Sequence, residues 1–363
     1  MGFLSACSAP TSSTSSPTAN ASADASATPA AGGYRVVFTA STPSASEIFL
    51  YDSASSTPQQ LVALGAGAPP EARFISAKKI AYVDNSSGPA KIITLELGTG
   101  AKSTEVTANG YVPAFAYSHD ASMLAYLLHD TSGSGKPALH VRRGGQDTTL
   151  ALNAIPGRGI GRDDEVRLEY APDDKYLLMV DTFVGNQGQA PETGQFLVLR
   201  TADNTVAFVP PSGVSSNATM ATWARHKDRL YYRDAVGVRT WDAGTTSVGT
   251  LATALHWYDP AAAPDDRSLA FTDIDNSSVP HVRLYDLQSS QAAATAAAAR
   301  SHPIFIAGDT IWYLEEQACV SECLSGPSQT SGRVLAYSLK SKSETALPFN
   351  DVHTLSQLSV FAG

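Results

Sequence analysis

His256-Trp257-Tyr258-Asp259, expected in a loop between two repeats of the chain, is the run with the most ligand-like chemistry in this sequence. Aromatic faces beside an imidazole and a carboxylate can stack on and hydrogen-bond a sugar or a peptide, although packing between structural elements explains a Trp there equally well. Arg158 lies within, and Arg162 directly follows, a second candidate, Gly157-Arg158-Gly159-Ile160-Gly161. It lacks the spacing and the following helix of a dinucleotide fingerprint, so it reads as a flexible loop. Its arginines are of the type that anchors recognition surfaces. Asp163-Asp164-Glu165, beside Arg162 and Arg167, offers paired carboxylates, and a solvated loop uses the same residues. Asp273-Ile274-Asp275-Asn276-Ser277 offers oxygens to calcium, but a hairpin turn is made of the same types. There is no Gly-x-Ser-x-Gly elbow, His-Glu-x-x-His pair or P-loop, and the eight histidines are scattered singly. No cofactor and no metal is expected.

Cysteine chemistry is confined to Cys7, Cys319 and Cys323. The last two stand four apart with no His between them, which falls short of the four ligands of a structural zinc site. In an oxidising compartment they close a small disulfide loop; otherwise they are free thiols. Leu4-Ser5-Ala6-Cys7 resembles the lipobox of bacterial lipoproteins, which implies that Cys7 is the lipidated residue. Behind it, 24 of the 26 residues from Ser8 to Gly33 are Ser, Thr, Ala, Pro or Gly. Such a stretch cannot bury enough apolar surface to offset its ordering entropy and is expected to be a flexible tether. Met1-Gly2-Phe3 supplies neither the charged start nor the apolar core of a signal peptide, so the export signal is incomplete as read. The expected organisation is residues 1–7 as a lipoprotein-signal remnant, 8–33 as tether and 34–363 as one folded domain, placed in the bacterial cell envelope.

Composition agrees with an exported β-rich protein. With 25 basic against 34 acidic residues and a net charge of -9, the chain has no cluster of cations for nucleic acid. No apolar run reaches the eighteen or so residues of a membrane-spanning helix, so the expected membrane contact is the lipid alone.

The elements that would position these residues repeat along the chain. Short β-type runs centre on Val37, Ala81, Ala125, Leu178, Tyr231, Ala270 and Trp312, at spacings of 44, 44, 53, 53, 39 and 42. A period of this size with several short strands in each copy predicts an all-β fold, a β-propeller of seven four-stranded blades. Six blades would result if the fifth copy, short at Asp234-Ala235-Val236-Gly237, were incomplete. At Tyr117-Ser118-His119-Asp120, Tyr170-Ala171-Pro172-Asp173-Asp174, Trp223-Ala224-Arg225-His226 and Ala262-Ala263-Pro264-Asp265-Asp266 the first turn resembles the aromatic-Ser-Pro-Asp-Gly signature of TolB-type, WD40-like propeller repeats. The glycine region is held instead by Asp174, Lys175, Asp266 and Arg267.

Nothing before Tyr34 can serve as the innermost strand of the first copy, whereas Thr354 to Phe361 is spare after the last. The C-terminal segment is therefore expected to complete blade one, since ring closure removes an exposed sheet edge. Gln291 to Arg300, rich in alanine, falls where blade six needs its outer strand; alanine favours helix, so an irregular blade is expected there.

In a four-stranded blade the strands alternate direction, so connections from strand two to three and from strand four to the next blade share one face. These are the long ones: Thr39 to Ser46, His129 to Pro137, Leu152 to Glu165, Thr182 to Gly194, Pro210 to Ala218 and Glu315 to Gly332. Loops on a rigid scaffold are where function concentrates. The expectation is a monomeric, non-enzymatic propeller that binds a protein or a cell-wall component through this face, as the resemblance to TolB-type propellers also implies. The alternative is a glycan hydrolase or lyase with carboxylates at the mouth of the central channel.

Overall fold

The computed structural model describes residues 33–41, 45–55, 57–65, 71–129, 137–151, 165–183, 193–210, 221–274, 279–296, 298–315, 333–348 and 358–362. These contain strands and no helix, arranged as seven antiparallel sheets of four. The innermost strands, taken blade by blade, are Ser359–Ala362, Ala72–Ser76, Phe115–Tyr117, Glu165–Tyr170, Ala221–Trp223, Trp257–Ala262 and Arg300–Ala307. Cys7, Arg158, Arg162, Cys319, Cys323, the tether and most of the long loops lie outside the described residues.

All seven repeat centres fall on the second strand of a blade. A second strand is covered on both faces, so its sequence is a continuous apolar run and not an alternating one. In blade two, Ile80 and Tyr82 pack toward blade one, while Ala81 and Val83 pack toward blade three. Each pair of consecutive blades shares one apolar core in this way. The series closes with a cluster in which Val36 and Phe38 of blade one meet Ile306, Trp312 and Leu314 of blade seven.

Ring closure is made by the C-terminus, as the spare segment predicts. Ser359–Ala362 runs antiparallel to the start of Tyr34–Ser41, pairing Val36 with Val360 and Arg35 with Phe361. It is also fastened to blade two, because the Phe74 amide donates to Ser359 Oγ at 2.9 Å and the Phe74 and Phe361 rings lie 5.8 Å apart. The fully buried Arg35 guanidinium sits 5.8 Å from the centroid of each ring and donates to the Ala77 carbonyl. Two aromatic faces and a carbonyl take the place of water around that charge.

The blade count is the expected one, while the alanine-rich segment and the loop after Thr39 depart from expectation. The fifth copy is a full blade, which settles the count at seven. Its hairpin is short because the Asp234 carboxylate accepts the amides of Val236 and Gly237, at 2.8 and 3.2 Å, and because Gly237 adopts φ +138°. A Cβ there would lie 2.2 Å from the Ala252 carbonyl oxygen. The alanine-rich segment also forms its outer strand, Gln291–Ala294, paired to Arg283 to Asp286. A hairpin closed by Asp286, which accepts the Gln288 and Ser289 amides, delivers the chain to an open sheet edge and overrides helix propensity. The loop expected from Thr39 to Ser46 is shorter than read, since pairing continues to Ser41 opposite Ser46.

Candidate functional site

The short-turn face is built for cohesion. Nine non-glycine residues have positive φ among the described residues, and seven of them lie in hairpin turns on this face. Asp174 and Asp266, which stand in the glycine place of the repeat signature, are two of these, at φ +60° and +55°. Their carboxylates explain the departure from glycine. Asp174 of blade four accepts the amides of His119 (2.8 Å) and Asp120 (3.3 Å) from blade three. Asp266 of blade six accepts those of Arg225 (2.6 Å) and His226 (3.0 Å) from blade five. The turn thus doubles as a staple across the seam. Asp120, held by the Ser118 hydroxyl and the Ser122 amide, has its carboxyl lowered to about 2. Replacing Asp174 by Ala should cost about 2 kcal/mol, and by Gly about 1, because glycine restores the left-handed conformation but not the hydrogen bonds. Urea unfolding of the two variants measures the difference.

The remaining two positive-φ residues are Asp259 and His302, and neither is in a turn. They interrupt the innermost strands of blades six and seven at register shifts, toward the long-loop end of the channel. Thr272 ties them together: its hydroxyl donates to Asp259 Oδ2 and accepts the His302 amide, each at 2.9 Å. His302 Nε2 lies 3.8 Å from Asp259 Oδ2, and its Nδ1 lies 2.8 Å from Ser301 Oγ. This has the composition of a Ser-His-Asp set, but a nucleophile must reach its substrate and Ser301 is only 2% exposed. Strained backbone of this kind costs about 1 to 3 kcal/mol and persists where its surroundings fix it, which marks the spot as one to test.

His256 to Asp259 is not the interblade loop that the sequence predicts. Trp257 to Asp259 belong to the innermost strand of blade six, and His256 is the turn residue before it. The reason is the bulge: two residues between Tyr258 and Ala261 leave the pairing, so the strand is longer than its pattern indicates. The four side chains go different ways. Trp257 is buried against Phe271 and Tyr285, with centroids at 5.1 and 5.6 Å, and serves the core between blades five and six. Tyr258 lies under the Arg233 guanidinium, 4.5 Å from its ring centroid. Exposed His256 directs Nε2 to Asp273 Oδ1 at 3.3 Å, and the buried Asp273 is bound through its other oxygen by Arg283.

Sequence reasoning missed Arg233, Thr272, Arg283 and His302, because strand register and not sequence proximity assembles them. Asp273, singled out as a turn residue, is instead the strand residue opposite Trp257. It also missed a charged channel wall. Arg73 of blade two and Glu169 of blade four hold the same register position, opposite the centres Ala81 and Leu178. Glu71 and Arg167 precede them by two residues. Blade three has Ala114 and Ala116 at these two levels, which leaves room for Glu71 to reach across to the Phe115 amide at 2.8 Å. Burial raises the Glu71 carboxyl, opposed by Arg73, whose Nε donates at 2.6 Å, and by the positive charge of Arg167. The matched offsets of Glu-x-Arg and Arg-x-Glu before two repeat centres were the available signal. Among the described residues no group of three or more potential ligands could hold a metal ion.

No family model and no curated protein matches the chain. Solved structures do. TolB from Acinetobacter baumannii is 16% identical with a TM-score of 0.49, over 91% of this chain and 66% of that one. A puromycin-hydrolysing peptidase of Mycobacterium tuberculosis is 11% identical with a TM-score of 0.56, over 92% and 55%. A prolyl endopeptidase is 12% identical with a TM-score of 0.57, over 88% and 51%. The chain therefore spans about half the length of these two peptidases, and at such identities the likeness is one of fold. In fold, the chain is a β-propeller of seven four-stranded antiparallel blades.

Proposed function

We propose that this protein is a non-enzymatic scaffold of the bacterial cell envelope, lipid-anchored at Cys7, that binds a protein or a cell-wall component through its long-loop face. One observation carries the reading. Large apolar side chains are exposed on that face around His256: Leu255 (49%) before the innermost strand of blade six, Val236 (46%) in the hairpin of blade five, and Val279 (38%) before the third strand of blade six. They are bound to one framework, since Arg233 donates to the Leu255 carbonyl and the Ile274 amide donates to that of His256 at 2.9 Å. Clustered exposed apolar groups beside Arg, Tyr and His have the composition of a recognition surface. Arg158 and Arg162 are proposed as further anchors for the same partner. The disulfide between Cys319 and Cys323 would tie a further loop of it.

The double variant Leu255→Asp, Val236→Asp should weaken binding to isolated cell wall, or to a cross-linked envelope partner, by tenfold or more, on the order of a hot-spot loss. Its melting temperature should stay within about 2 °C of the parent, because exposed side chains carry little stability. Undiminished binding would remove this face from the function.

A second reading, glycan cleavage, has one observation in its favour: burial raises the Glu71 carboxyl, as a general acid requires. Glu169 would be its partner. Turnover of cell-wall glycan that Glu71→Gln abolishes would establish it, and absence of turnover by the parent protein would end it.

A further inference from the structure

Three successive seams on the short-turn face use equivalent turns, and the middle one is made differently. Ala171, Ala224 and Ala263 begin these turns, each amide bonding back to the residue five later, so Lys227 stands where Asp174 and Asp266 stand. The seam between blades four and five has therefore lost the carboxylate that staples its two neighbours. Asp228, the next residue, faces Asp173 of blade four within hydrogen-bonding reach. Both Asp173 Oδ2 and Asp228 Oδ1 are buried; the first is met by the Lys175 ammonium, the second lacks a hydrogen bond, and a single proton between the two carboxyl groups would supply it.

We propose that the seam between blades four and five is a proton-operated latch, closed by one proton shared between Asp173 and Asp228 and loosened when that proton leaves. The charged groups facing Asp228 from blade four are Asp173 and Lys175, whose ammonium lies 2.6 Å from Asp173 Oδ2. The Tyr176 hydroxyl reaches instead across to the Ala243 carbonyl at 3.5 Å. On its own blade Arg229 is turned away to Asp242, at 3.1 Å. Lys175 thus neutralises one carboxylate of the pair, and the second must be protonated or repelled. Burial, then the Asp173 contact, pushes the Asp228 carboxyl up to about 6, while Lys175 holds Asp173 below its ordinary value. The folded seam binds its proton more tightly than the unfolded chain does. Its contribution is therefore complete below the ordinary carboxyl range and is lost as pH rises through about 6. The shared apolar core of blades four and five, with Trp223 and Trp241, is untouched by this proton, so the change is local to the rim.

Hydrogen exchange of the full chain at pH 5 and pH 7.5, corrected for intrinsic rates, reads the latch. The Ala243 amide, bonded to the Asp228 carbonyl at 2.9 Å, and the Thr201 amide, bonded to that of Lys175 at 2.8 Å, report on its two sides. Their opening should increase on the order of tenfold at the higher pH, allowing for solvent screening of a partly exposed pair. The Ala121 amide, beside the stapled seam, should not follow. Asp228→Asn, which carries a permanent donor, should stay closed at both pH values. Equal protection of Ala243 and Thr201 at the two pH values in the parent would overturn the latch, as would an Asn variant that keeps the parent's pH dependence.

Discussion

Removal of residues 358–363 is expected to abolish soluble monomer. Blade one would keep three strands, and the edge of Tyr34–Ser41 would open as an unpaired template next to blade two, the situation that leads to edge-to-edge aggregation. Two further costs follow from what the closing strand touches. Leu358 and Val360 leave the core shared by blades seven and one. Arg35 loses the Phe361 ring and part of its enclosure while its charge remains desolvated beside Phe74. Together these should lower the melting temperature by about 10 °C or more wherever any protein stays soluble. The single change Phe361→Ala, which keeps the strand's backbone pairing, should cost about 2 to 3 kcal/mol. A truncated chain that stays monomeric by light scattering and melts with the parent would show that the segment is a tail.

Cutting one partner from the ion cluster of blade seven should have an effect of similar size. Arg300, buried at the start of the innermost strand, donates from Nε and Nη2 to the two oxygens of Glu344 at 3.0 and 2.8 Å, and the Tyr313 hydroxyl donates to the same carboxylate at 2.6 Å. Glu344→Ala would leave a buried guanidinium and a buried phenol without this acceptor, with Glu315 at 3.7 Å as the remaining counter-charge, and should cost about 3 kcal/mol. The double variant Arg300→Met, Glu344→Leu should recover most of that loss, because an apolar pair needs no compensation. The same carboxyl gives a pH signature. Arg300 holds it below its ordinary value of 4.5, so its contribution is present above that value and fades as pH falls through the lowered one. Acid unfolding of the parent and of the double variant should differ by that increment.

Blade number, ring closure and the second strands were readable because they rest on local chemistry. A strand buried on both faces must be apolar at every position, and Ile80 to Val83 or Ile311 to Leu314 can be recognised without knowing their neighbours. The site was less legible for the converse reason. Asp259 and His302 occupy strand bulges that a period-two pattern does not announce, and Thr272 joins them from a third strand. Trp257 was grouped with His256 by proximity in sequence, yet strand alternation turns it to the core while His256 stays at the surface. Asp174 and Asp266 stood as departures from glycine until their bonds to the preceding blade gave them a purpose. In the alanine-rich segment of blade six, propensity pointed to helix and edge pairing prevailed.

Site-specific photo-cross-linking in intact bacteria, using an exported form of the chain, tests the choice of face most directly. A photoreactive residue at Leu255, Val236 or Val279 should give discrete adducts with a protein or with wall material, and one at Arg225, Lys227 or Arg267 in the short turns should give none. Adducts from the short-turn positions with none from the long-loop positions would contradict the account and move the interaction to the opposite side of the ring.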